Sequence, residues 1–353
     1  MGVGLGMLTG SALRWFAPSV QRQQINLPLW LGAEGTREGV TETTPVADPA
    51  KTKPRLPRGS FRPTTEITAL SRRWKEIASV QNDLQASAYM LILDDGRYAQ
   101  MQANRPMPAA SSIKVPVLLA AMERIDAKDL HWNEPLTLTE ELVGGEAGWM
   151  ASRPIGSRFP THQVATEMIR ISDNSATNLL IERAGGQDNV NARFRALGLT
   201  STAINNWLPD LEGTNTTSAH DLSRTLALVD SGDVLSPRSR DRFRQVMTTS
   251  VTNTLIPTGL MQGLGGSQGP ADASLARMGY RVLNKTGDIG IAYADAALIE
   301  LPDGRRAVAG FVVKGPFNDP RSTALIRAMA KAMAGHLQPK PAPPRERPST
   351  LEP

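Results

Sequence analysis

The chain has 353 residues, 40% of them hydrophobic and 21% charged, which allows the core of one large domain or two ordinary ones. Aromatic content is only 5%, so aliphatic residues and alanine must fill that core. The net charge of +5 is mild, and the lack of cysteine excludes disulfides, thiolate metal sites and a cysteine nucleophile.

Residues 1–19 form an apolar, glycine-rich leader. Its run from Val3 to Leu13 is too short to span a bilayer, which takes roughly 20 apolar residues. It suits an incomplete signal, a short anchor or a disordered leader. Residues 20–63 form a Pro-rich linker in which Lys51, Lys53, Arg55, Arg58 and Arg62 crowd together without an acid. No aromatic stacking pattern accompanies those charges, so they read as a solvated spacer and no nucleic-acid partner is expected. The folded unit is expected over 64–337, followed by a Pro-rich tail at 338–353.

Within that unit, Ile67, Leu70, Trp74 and Ile77 give helical spacing over Glu66 to Val80. Ala88 to Leu93 and Tyr98 to Gln102 read as strands around an Asp-Asp-Gly-Arg turn. Ile113 to Ile125 is a strongly apolar helix, and a mostly helical stretch follows to about residue 250. Strands return at Arg281 to Leu283, Tyr293 to Glu300 and Ala307 to Lys314, and Ser322 to Leu337 closes the chain as an amphipathic helix. β segments at both ends with helices between predict an α+β fold: one antiparallel sheet, flanking helices, an inserted helical lobe and a crevice between them.

Three short motifs fall on this frame. Ser111-Ser112-Ile113-Lys114 opens the apolar helix, and a spacing of three puts Ser111 and Lys114 on one face. A serine hydroxyl needs a neighbouring base, and a buried lysine can be one. Ser172-Asp173-Asn174 lies between two helical stretches and offers a hydroxyl and an amide. Lys285-Thr286-Gly287 ends a strand and presents a cation, a hydroxyl and a small residue suited to a carboxylate. Each motif alone is met more often as an ordinary cap, a solvated lysine or a strand end.

Together, and in this order, they resemble the signature of class A β-lactamases and penicillin-binding proteins. The resemblance extends to Ser172 through Ile181 with Gly185-Gly186, to Trp207-Leu208-Pro209-Asp210-Leu211, and to Ile256 through Leu260, and covers about Ala69 to Leu337. It implies a β-lactamase/transpeptidase-like fold and an acyl-enzyme on Ser111, with Lys114 taking the serine proton and Ser172 passing a proton to the leaving nitrogen. Asn174 would hold the substrate amide, and Lys285, Thr286 and Gly287 its carboxylate end. The oxyanion would lie between the backbone N–H groups of Ser111 and Asp288. No metal or organic cofactor is implied. The expected partner is a small β-lactam or a peptidoglycan-like peptide, met by a monomer outside the cytoplasm that touches a membrane only through its N-terminal segment.

Two departures stand out. The family's glutamate, which activates the deacylating water, is replaced by Leu208 after Trp207. Asp210 and Glu212 are the substitute candidates, and without one deacylation is expected to be slow. The arginine often found after Lys-Thr-Gly is also missing, leaving Arg277 and Arg281 as the nearest cations, and Gly263 to Gly279 is longer than the usual connection. Gly265-Gly266-Ser267-Gln268-Gly269 mimics a nucleophile elbow, but it lacks the strand and helix that motif needs. The readings left open are a slow β-lactamase, a D-Ala-D-Ala peptidase, amidase or esterase on the same scaffold, and a penicillin-binding sensor that barely turns over.

Overall fold

The computed structural model describes residues 61–266 and 269–339. The leader, nearly all of the linker, Ser267, Gln268 and most of the tail lie outside them.

The first segment gives β1 (Thr65–Glu66), α1 (Thr68–Ser79), β2 (Gln85–Ile92), β3 (Arg97–Met101) and β4 (Met107–Pro108). The middle holds α2 (Lys114–Asp126), β5 (Pro135–Thr137), β6 (Arg158–Pro160), α3 (Thr161–Arg170), α4 (Asn174–Arg183), α5 (Gly186–Ala196), β7 (Thr216–Thr217), α6 (Ala219–Ser231) and α7 (Pro237–Met247). The last segment gives α8 (Ile256–Gly263), α9 (Ala271–Arg277), β8 (Arg281–Asp288), β9 (Ala292–Glu300), β10 (Arg306–Lys314) and α10 (Pro320–Met333).

The main sheet runs β1-β3-β2-β10-β9-β8, antiparallel except for the β1–β3 pair. The early and late strands of the described residues meet where β10 pairs β2, with Lys314 opposite Gln85 and Ala307 opposite Ile92. Both faces of the central strands are buried, which explains their almost unbroken apolar runs. Met90, Ile92 and Phe311 pack on one side with Leu70, Trp74, Ile326 and Met329 from α1 and α10. Tyr89, Leu91, Val308 and Val312 pack on the other side with α2 and α6. Trp74 meets Phe311 edge-on at 5.4 Å and donates its indole N–H to the Met329 carbonyl at 2.9 Å, so its one polar atom is satisfied. Gly310 is needed where α6 crosses β10, because a Cβ there would lie 2.5 Å from the Ala219 carbonyl.

Two elements differ from the sequence expectation in ways that shape the site. A 3-10 turn, Ala110–Ile113, precedes α2, so Ser111 sits on that turn and Lys114 is the first α-helical residue. With three residues per 3-10 turn, positions three apart are eclipsed, which stacks Lys114 directly on Ser111. β8 continues through Asp288 instead of stopping at Leu283, so Lys285-Thr286-Gly287 lies inside a strand. Among the described residues that strand is the last of the sheet and pairs with β9, Thr286 opposite Asp295 and Gly287 opposite Ala294. The longer connection after Gly263 contains the short helix α9. No helix among the described residues is long and apolar enough to cross a membrane.

Candidate active site

α2 is buried from Lys114 to Met122, a core helix rather than an amphipathic one. Its first residue therefore carries an amine into the interior, and Lys114 is fully buried. Four oxygens surround Nζ: Ser111 Oγ at 3.0 Å, the Ser172 carbonyl at 2.6 Å, Ser172 Oγ at 3.0 Å and Asn174 Oδ1 at 2.7 Å. Burial, and then the positive charge of Lys285, hold the Lys114 amine well below its ordinary pKa, against an opposing pull from Asp173.

The two carbonyl oxygens can only accept, and together they take two N–H groups. A neutral amine has no more than two, so its lone pair is left for the hydroxyls. Lys114 is thus arranged to accept a proton from Ser111.

Ser172 reaches Lys114 from an unusual backbone. Its φ is +63°, a left-handed conformation that costs a non-glycine residue roughly 1–2 kcal/mol and aims its carbonyl at the amine. The next residue locks this geometry. Asp173 caps α4 by accepting from the Ala176 amide at 2.9 Å, and its other oxygen accepts the amides of Trp149 and Met150 at 2.8 and 2.9 Å. Gly148 makes room for it, since a Cβ there would sit 2.1 Å from Asp173 Oδ2. Asn174 is buried and donates its amide to the Gly145 carbonyl at 2.8 Å.

On β8, Lys285 is buried and donates to the Thr286 carbonyl at 2.6 Å. Burial brings its pKa down to about 8, opposed by Asp295. Asp295 is itself pushed up to about 7 by burial, against the bonds from Asn284 Nδ2 (3.0 Å) and the Ile256 amide (2.8 Å) and the charge of Lys285. Gly287 lets β8 lie against the nucleophile turn: a Cβ there would stand 2.7 Å from the amide nitrogens of both Ser111 and Ser112. Asp288 follows at the strand end and lines the same cleft as Ser111.

Ser111, Asn174, Leu208 and Asp288 line a single cleft of about 90 Å³. Larger depressions exist, one of about 220 Å³ beside Arg281 and Asn284, but this one is lined by Ser111 and Asn174. Leu208 is buried, with an apolar side chain where the resemblance implied a carboxylate. Asp210 lines the same cleft, yet its Oδ1 takes the amide and hydroxyl of Thr214 at 3.1 and 2.8 Å and its Oδ2 the Asn215 amide at 2.7 Å. Its carboxylate is therefore spent on closing its own loop. Glu212 is exposed on that loop. Arg277 and Arg281 stay away from the cleft: Arg277 donates to Ser274 within α9, and Arg281 faces Glu300 at 3.8 Å.

Three residues that matter here were not singled out in the sequence. Asn178, one helical turn after Asn174, is fully buried and bonds the backbone of Leu208. Asp295 supports β8, and its signal was a carboxylate inside an apolar strand. Glu146 lines the cleft, and nothing in its glycine-rich surroundings marked it.

Ser111 thus meets a buried amine on one side and β8 on the other. The model of the β-lactamase enzyme family matches residues 69–337, and the chain belongs to that family. Among solved structures it is similar to PBP-A, at 38% identity and a TM-score of 0.72 over 78% of this chain and 98% of that one. PBP-A has also been solved as a leucine-to-glutamate variant, in an acyl-enzyme complex with penicillin G. A class A β-lactamase reconstructed as the last common ancestor of Gram-negative bacteria shares the fold, with a TM-score of 0.65 at 23% identity over 76% of this chain and 99% of that one. A curated β-lactamase of Rhodobacter capsulatus is 31% identical over 153 residues, 41% of this chain and 52% of that protein. The chain thus matches about half the length of that curated relative. The fold is the expected α+β, β-lactamase/transpeptidase-like one.

Proposed function

We propose that the protein is a serine hydrolase that opens β-lactam amide bonds through an acyl-enzyme on Ser111 and releases the product slowly. The observation that carries this reading is the Lys114 amine, buried, depressed in pKa and 3.0 Å from Ser111 Oγ. In the proposed reaction, the Ser111 hydroxyl gives its proton to neutral Lys114 as Oγ bonds to the carbonyl carbon. The negative oxygen faces the amides of Ser111 and Asp288. The carbon–nitrogen bond then breaks as the nitrogen takes a proton through Ser172, whose Oγ is 3.0 Å from Lys114 Nζ. Lys285, with Thr286 and Gly287, receives the substrate carboxylate, and Asn174 the substrate amide.

Deacylation needs a water and a base. The Leu208 side chain is neither donor nor acceptor, Asp210 is already bonded to Thr214 and Asn215, and Glu212 is exposed. This supports a long-lived adduct and gives weight to the second reading, a penicillin-binding or D-Ala-D-Ala-directed enzyme. Similarity to PBP-A favours it too. Intact mass after incubation with benzylpenicillin should show one adduct, mapping to Ser111 and decaying slowly. An adduct elsewhere, or none, would overturn the reading. Rapid steady turnover would remove the slow step, and D-alanine release from a peptide would favour the second reading.

A further inference from the structure

The turn that carries Ser172 is closed by a ring of three hydrogen bonds. The carbonyl of Glu167, in the last turn of α3, accepts the Asp173 amide at 3.1 Å. Asp173 Oδ2 accepts the Trp149 amide at 2.8 Å, and the Trp149 indole N–H returns to Glu167 Oε2 at 3.0 Å. Each member is itself held. Arg170 donates to both carboxylate oxygens of Glu167, at 3.1 and 2.6 Å. The Trp149 ring meets Phe159 edge-on at 5.7 Å and carries the Arg153 guanidinium 5.1 Å from its centre. Asp173 is fully buried.

Glu167 is a costly choice for its position. It is 8% exposed, on a helix whose other buried positions include Val164, Met168 and Ile169. A carboxylate there must be bonded, whereas an apolar side chain would be buried without that demand. Ser172 supplies the reason for it. The left-handed φ of +63° is a strained state that persists only where the surroundings impose it. The Glu167 carbonyl accepts the amides on both sides of Ser172, Ile171 at 3.3 Å and Asp173 at 3.1 Å, while the Glu167 carboxylate fixes the tryptophan that braces Asp173.

We propose that Trp149 and Glu167 are positioning residues for proton delivery: the ring they close through Asp173 holds the Ser172 hydroxyl beside Lys114 Nζ, where it can serve the leaving nitrogen. In that step the nitrogen takes the Ser172 proton as the carbon–nitrogen bond breaks, and Ser172 takes a proton from Lys114, which received it from Ser111. The inference rests on the reading of Ser111 as the acylated residue and of Ser172 as the proton donor.

The test uses two acyl donors with the full-length protein, followed by intact mass. Benzylpenicillin has a leaving nitrogen that must be protonated, whereas p-nitrophenyl acetate releases a phenolate that needs no proton. Trp149→Phe removes the indole N–H and keeps an aromatic ring, and Glu167→Met removes the acceptor. Each should slow acylation by benzylpenicillin by about 10- to 100-fold, the scale of a displacement of about 1 Å, and slow the ester far less. Glu167→Gln keeps one acceptor for the indole and should recover most of the rate lost in Glu167→Met. In a Ser172→Ala background Trp149→Phe should add no further loss, because the group through which it acts is gone. Equal slowing of both donors, an unchanged penicillin rate, or a full further loss in the Ser172→Ala background would overturn the inference while leaving acylation of Ser111 intact. No adduct from benzylpenicillin on the unmodified protein would instead bring down the Ser111 reading, and this one with it.

Discussion

The amide and the carbonyl of Leu208 are both bonded by one side chain, that of Asn178. The Leu208 N–H donates to Asn178 Oδ1 at 3.0 Å, and Asn178 Nδ2 donates to the Leu208 carbonyl at 2.7 Å. The backbone at this position is therefore fixed whatever side chain it carries. Leu208→Glu should set a carboxylate in the cleft beside Ser111 and shorten the adduct lifetime by roughly 10²–10⁴-fold, the usual worth of general-base assistance. It should also lower the melting temperature, because a carboxylate replaces a buried alkyl group. Leu208→Gln should share the melting penalty without the gain in rate. An unchanged lifetime in Leu208→Glu would mean that another group already serves as base.

Lys114→Met keeps the volume of the buried side chain and removes the proton acceptor. Acylation should fall by about 10²–10⁴-fold. In the unmodified protein the acylation rate should rise with pH through the lowered Lys114 pKa, because only the neutral amine accepts a proton. The variant should lose that acid limb. A rate within about ten-fold of the parent, with the limb retained, would assign the base to another group.

Gly287→Ala tests the approach of β8 to the nucleophile turn. The new Cβ would overlap the amides of Ser111 and Ser112 and stand 2.9 Å from the Ala110 methyl. The strand must move away, widening the space between the Ser111 and Asp288 amides. Acylation should drop by about 10²-fold or more, as for loss of an oxyanion donor. Overpacking should cost about 1–3 kcal/mol, read from denaturant unfolding. A destabilised protein that acylates at the parent rate would exclude this pair of amides as the oxyanion site.

Asp295→Asn acts on Lys285 from within the sheet. The Lys285 ammonium persists below a pKa of about 8, so affinity for a substrate carboxylate should decline as pH rises through that value. The charge of Asp295 supports the ammonium, and its removal should shift the alkaline limb of acylation to lower pH. An asparagine also has one acceptor oxygen for two donors, Asn284 and the Ile256 amide, so one is stranded at a cost of about 1–3 kcal/mol. A lower melting temperature with an unmoved limb would reduce Asp295 to a scaffold role.

The outline of fold and site was legible because it rests on short-range signals. Alternation and apolar runs marked β2, β3, β9 and β10, and the three motifs marked Ser111, Lys114, Ser172, Asn174, Lys285 and Thr286. What escaped depends on contacts between distant segments. The Lys-Thr-Gly run extends β8 because β9 pairs with it through Asp288. Asp210 is drawn into its own loop, and its neighbours Thr214 and Asn215 gave no hint of that in one dimension. Asn178 resembles any helical asparagine until the Leu208 backbone is brought against it.

The sheet joins strands that lie more than 200 residues apart in sequence, as Gln85 and Lys314 do, with β10 seated on β2. Ser111 is made early in synthesis, and the strand that completes its surroundings emerges nearly half a chain later. Such distant pairings form slowly. A polypeptide cut short before Asp288 would carry Ser111 and Lys114 without the complete strand that lies against them. If Ser111 is acylated as proposed, covalent capture by a penicillin would count only molecules whose β8 has been made and paired, a readout of folding during biosynthesis.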